Sequence, residues 1–144
     1  MKKEFILLTA IITIISLSIF TACGKEEPTN QSETITGLFD NNTSATVKGY
    51  LTDTEWVGVP DKIKNALNAM YTTSIGDPIK DAYKTMFTRG IIIIVEKNPS
   101  YTNWKTITDG KTIYINLNSV NNSTLQSNIT AAIEQAHTYT AMQE

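Results

Sequence analysis

Apolar residues recur along one stretch of the chain at the spacing of an α-helix. Ile63, Ala66, Leu67, Met70 and Tyr71 follow i, i+3, i+4, i+7, i+8 and so share one stripe. Pro60 falls in the first turn, where a missing N–H has no intrahelical partner to lose. The same spacing returns in Ile79, Ala82, Tyr83, Met86 and Phe87. Asp77 as N-cap, Pro78 as first helical residue and Gly90 as C-terminal stop frame this second helix. The short link Thr73-Ser74-Ile75-Gly76 makes the two helices neighbours in space.

The period then changes. Ile91–Val95 is a dense β-branched run and reads as a strand buried on both faces. Asp109-Gly110 separates two extended stretches, and Asp-Gly favours a type I′ hairpin turn because both central residues take positive φ. A two-residue loop there pairs Thr108 with Lys111, Thr106 with Ile113 and Trp104 with Ile115. Residues 45–51, ATVKGYL, supply a further strand. Near the end, Ser123 and Gln126 fit a capping box, and Leu125, Ile129, Ala132, Ile133 and Ala136 then form an apolar helical face. The predicted fold is α+β. It is a small two-layer domain over residues 45–144, with two helices, a short antiparallel sheet with a hairpin, and a C-terminal helix.

Composition adds bounds rather than chemistry. The 144 residues carry a net charge of −2, without the basic patch that nucleic acid binding needs. One cysteine, Cys23, excludes an intramolecular disulfide and a cysteine zinc cluster. Its place in the chain gives it another meaning. Lys2 and Lys3 precede an apolar run from Phe5 to Phe20, broken by Thr9, Thr13, Ser16 and Ser18. That run is short of the roughly 20 apolar residues of a membrane-spanning helix. It has the form of a secretory signal, with Thr21, Ala22, Cys23 and Gly24 after it.

Residues 1–24 resemble the lipobox leader of bacterial lipoproteins. Ala22 matches the small residue before the cut and Gly24 the one after it, and Phe20 stands where Leu is usual. The resemblance implies a signal peptide over 1–22, a diacylglyceryl group with palmitate-type chains on the Cys23 sulfur, and cleavage just before it. The thiol is the nucleophile that carries a thioether lipid. Two or more acyl chains make anchoring stable, at about 0.8 kcal/mol per buried methylene. Loss of Lys2, Lys3 and Glu4 with the leader takes the net charge from −2 to −3. The mature protein is then expected on the cell membrane or outer membrane, facing away from the cytoplasm. Residues 23–44 read as its tether. They are mostly polar, which favours a flexible spacer, with Ile35, Leu38 and Phe39 as possible docking points.

The stretch Glu134-x-x-His137 follows the extended segment 112–120. The order strand, turn, helix resembles the active-site region of zinc metallopeptidases, whose His-Glu-x-x-His motif puts two ligands on one helix face. The resemblance implies Glu134 as general base and His137 as a zinc ligand, and Ile133 stands in place of the first histidine. A catalytic zinc takes three protein ligands and an open position. His137 is the one histidine in the chain; the third ligand of one subgroup of that family falls on Gln143, a poor zinc ligand, and Glu144 lies two turns beyond His137. As an ordinary helix, the same residues place His137 at the rim of the apolar face and Glu134 towards solvent.

No Gly-x-Ser-x-Gly elbow and no glycine-rich phosphate loop is present. Trp56, in DTEWVGVPD, and Tyr101 and Trp104, in NPSYTNW, stand out as aromatics on loops, a type enriched at binding surfaces. If the two loops meet at one edge of the sheet, they suit a protein or a glycan. The sequence thus points to a non-enzymatic envelope lipoprotein that acts by binding, without a cofactor. The alternatives are a divergent or inactive zinc-metallopeptidase-like protein, and a structural surface antigen.

Overall fold

The computed structural model describes residues 24–39, 42–73 and 77–142. The expected leader and Cys23 lie outside the described residues, as do Gln143 and Glu144. Among the described residues, five strands and five helices follow in the order β1 (Thr29–Thr36), β2 (Ser44–Leu51), α1 (Asp53–Trp56), α2 (Val59–Thr73), α3 (Asp77–Thr88), β3 (Ile91–Glu96), β4 (Trp104–Thr106), β5 (Thr112–Asn116), α4 (Leu117–Val120) and α5 (Leu125–Ala141).

The fold is α+β in two layers, one sheet and one layer of helices. The sheet order is β1-β2-β3-β5-β4. It is mixed rather than wholly antiparallel: β2, β3 and β5 run parallel, and the edge strands β1 and β4 run against them. The crossover explains this. The helix pair α2–α3 returns the chain to the start of the sheet, so β3 repeats the direction of β2.

Both predicted helical stripes are buried. Ile63, Leu67 and Met70 of α2 and Tyr83, Met86 and Phe87 of α3 join Ile129, Ala132 and Ile133 of α5 in one core. Gly90 takes φ +81° and ends α3. Asp77 opens α3, though the side chains of Asp77 and Ile79 lie outside the described residues. From the sheet, the core receives Ala45, Val47 and Leu51, then Ile91, Ile93 and Val95, then Ile113 and Ile115.

Four local readings change. First, the segment read as a flexible tether contains β1, paired along all eight of its residues with β2. Ile35 and Leu38 are buried, and Phe39 stacks on Tyr71 at 4.5 Å. An edge strand needs little apolar surface, because its neighbour's backbone supplies most of its partners. Second, the hairpin keeps the predicted register, Trp104 opposite Ile115 and Thr106 opposite Ile113, but its turn is longer and is not type I′. Gly110 takes φ +69° while Asp109 does not take positive φ. The Asp109 carboxylate instead accepts the N–H groups of Lys111 and Thr112 and the Thr112 hydroxyl, which satisfies the turn from outside the ladder.

Third, the Ser123–Gln126 capping box is not formed. Asn122 accepts the Ser123 hydroxyl and the Thr124 N–H, so α5 starts at Leu125 behind Thr124 without a side-chain cap. Fourth, β3 is covered on one face only. Ile91, Ile93 and Val95 are buried, and Ile92, Ile94 and Glu96 alternate with them as partly buried residues. The helices lie over the first set, and no described element lies over the second.

Candidate functional site

The sheet ends where β2, β3 and β5 finish in loops, and here the two aromatic loops meet. Thr52 and Glu55 form a capping box on α1: Thr52 Oγ1 accepts the Glu55 N–H, and Glu55 Oε2 accepts the Thr52 N–H. Lys97, first in the loop after β3, pairs with the other oxygen of Glu55. The hydrogen bond from Lys97 and then that from the Thr52 N–H hold the Glu55 carboxyl below its ordinary range. Asn116 at the end of β5 fixes the same loop by donating to the Thr102 carbonyl at 2.9 Å, and its own N–H donates to the Asn103 carbonyl.

The three aromatic residues singled out in sequence are not brought into one patch. Trp56 and Trp104 are half-buried and pack against the core. Trp104 stands opposite Ile115, on the helix-covered side of the sheet. Tyr101 belongs to the other side. Lys105 Nζ lies 4.9 Å above its ring and 4.5 Å above that of Tyr114. The Tyr101 hydroxyl is buried without a well-formed hydrogen bond. Burial, with the Glu96 carboxylate next to it, pushes that phenol well above the usual tyrosine range.

The uncovered face of the sheet is built by register. Thr46, Lys48 and Tyr50 of β2 lie beside Ile92, Ile94 and Glu96 of β3; Tyr114 of β5 and Lys105 of β4 complete the row. Its centre is aliphatic, and its rim is tyrosine and lysine. Tyr50 is 64% exposed. Lys105 pairs with Glu96 at 3.6 Å. Among the described residues of this row, Lys48 and Lys105 stand with one carboxylate, Glu96, so the row is positive on a chain that is negative overall. Towards the loop end it deepens into an open-sided hollow of about 620 Å³ between Pro28, Tyr50, Ile94, Pro99 and Lys105. Its residues come from segments far apart in the chain, which left the face invisible to motif reading. The one trace in sequence is the unbroken run 91–95, apolar at both parities.

Glu134 and His137 sit towards the other end of the molecule, on the last turns of α5. Ile133 is fully buried, Glu134 is exposed and His137 is half-buried. The His137 ring meets Tyr83 edge-on at 6.3 Å. Burial and then the Glu134 carboxylate push the Tyr83 phenol above its usual range. Among the described residues no three His, Cys, Asp or Glu side chains converge as metal ligands. β5 is an interior strand, and residues 117–120 are the short helix α4. Among the described residues no helix is long and apolar enough to cross a membrane. Compared with known proteins, the chain matches no family model, no curated protein and no solved structure.

Proposed function

We propose that this chain is a lipoprotein of the bacterial envelope, anchored through a lipid on Cys23, that works by binding a protein partner on the uncovered face of its sheet. One observation carries the binding half: β3 is isoleucine-rich at both parities, and among the described residues the helices cover only one parity. An aliphatic centre within a tyrosine and lysine rim has the anatomy of a protein interface. A glycan favours several open aromatic planes, and of the three tyrosines at this face Tyr50 alone is open, because Lys105 already lies over Tyr101 and Tyr114. The positive balance of the face suits an acidic segment of the partner. The anchoring half rests on the leader residues and Cys23.

Two measurements test the reading. The intact mass of the natural protein is expected to show a diacylglyceryl-modified Cys23 at the N-terminus; a bare thiol or a retained leader removes the anchor. A photo-crosslinking residue in place of Tyr50, activated in living cells, is expected to give protease-sensitive adducts that disappear in the Ile94→Asp background. Adducts that resist protease and yield to glycosidases replace the protein with a glycan, and adducts that ignore Ile94→Asp remove the face.

A further inference from the structure

The chain joins the domain at the loop end of the sheet, and it is fastened there at once. The Glu26 carboxylate accepts the Thr54 N–H at 3.0 Å. Gln31 Nε2 donates to Asp53 Oδ1 at 2.7 Å. Both bonds tie the start of the described chain to α1, and from Thr29 onward it is a strand of the sheet. Glu26 is three positions beyond Cys23, a span of at most about 11 Å, and Thr29 is six positions beyond it, at most about 22 Å. β1 then runs for eight residues, roughly 27 Å at strand rise, to the opposite end.

A leash shorter than the body it holds fixes which end of that body faces its anchor. We infer that the clasp at Glu26 and Gln31 holds the domain upright on the lipid bilayer, with the loop end of the sheet against the membrane surface and the hairpin turn 107–111 away from it. This rests on the lipidation of Cys23 proposed above. Val57, 76% exposed beside α1, is an apolar side chain presented at the membrane end. Asp53, Glu55 and Asp61 accompany Lys62 and Lys97 at that end, so the placement does not depend on anionic lipid. The uncovered face, which runs along the strands, then looks sideways over the membrane. Its hollow lies at the foot, where Pro28 forms one wall. A partner reaching it must itself extend down to the bilayer surface.

The test uses the full-length natural lipoprotein in phosphatidylcholine vesicles that carry a headgroup-linked acceptor dye. Cys23 is blocked by its thioether, so a donor can be placed at Ser100→Cys, in the loop after β3, or at Thr108→Cys, in the hairpin turn. With the two positions separated by roughly a strand length, quenching at 100 is expected to exceed that at 108 by at least about two-fold. Glu26→Ala narrows the difference. A flexible insert of about 12 residues after Gly24, which adds roughly 20 Å of reach, abolishes it. Equal quenching at 100 and 108, on protein whose mass shows the lipid, overturns the orientation and leaves the lipoprotein reading intact. Protein that stays off the vesicles with an unmodified Cys23 overturns both.

Discussion

The two faces of β3 are made of the same residue type and have different fates. Ile91 and Ile93 are wholly buried under α2, α3 and α5, whereas Ile92 and Ile94, one position away, are only partly buried beside Lys48, Tyr50 and Tyr114. Alternation along a strand normally separates apolar from polar. Here it separates two apolar sets, and the chain's own helices cover one of them. The covered face holds the fold together. The other leaves apolar side chains open to solvent, and on the reading proposed above a partner covers them.

Paired substitutions sharpen that contrast. Ile93→Ala is expected to cost about 2–5 kcal/mol, as a cavity in a packed core, and Ile94→Ala less than about 1 kcal/mol. Urea unfolding of both variants checks the pair, and equal losses would erase the distinction between the faces. Gly110→Ala probes the cover at the hairpin end. Gly110 has φ +69°, and a Cβ there would lie 2.3 Å from Thr140 Oγ1, whose hydroxyl donates to the Gly110 carbonyl. The expected loss is about 1–3 kcal/mol by the same measurement. At the loop end, Thr52→Ala removes half of the capping box and is expected to cost about 1 kcal/mol.

The smallest expected effect is a pH dependence. Hydrogen bonds from Lys97 and Thr52 lower Glu55. At Asp109 burial acts upward, and the hydrogen bonds from the Thr112 hydroxyl and the Lys111 and Thr112 N–H groups outweigh it, so this carboxyl is lowered too. Groups lowered in the folded state contribute stability above their ordinary values of 4.5 and 3.8, and that stability is lost as pH falls through the folded pKa. Glu55→Gln and Asp109→Asn should therefore each flatten the acid side of the stability profile and leave it unchanged in shape near neutrality.

How much of this was legible in the sequence follows from where each signal resides. The stripes of α2, α3 and α5 were legible because helical burial repeats within one segment. The hairpin register was legible because Asp109-Gly110 sits at its centre of symmetry, even though the Asp109 carboxylate, rather than positive φ at both positions, shapes the turn. β1 was hidden because TNQSETIT has a single apolar residue and takes its order from β2. The parallel pairing of β2, β3 and β5 was hidden because strand order is set by the crossover rather than by any one strand. The uncovered face was hidden for the same reason. Lys48, Tyr50, Ile94, Glu96 and Lys105 become neighbours only in the assembled sheet. The sequence left open whether the two aromatic loops meet; Lys97 and Glu55 join them, while Trp56 and Trp104 turn inward.

The claim that the uncovered face is the working surface is tested most directly by lysine footprinting in place. Lys48 lies on that face and Lys111 in the distant hairpin turn, and both are exposed in the isolated domain. Acylation rates are compared between intact cell envelopes and the purified protein. Slowing of several-fold at Lys48 with Lys111 unchanged is the predicted result. Lys48 and Lys111 modified in the same ratio in both settings would contradict the account.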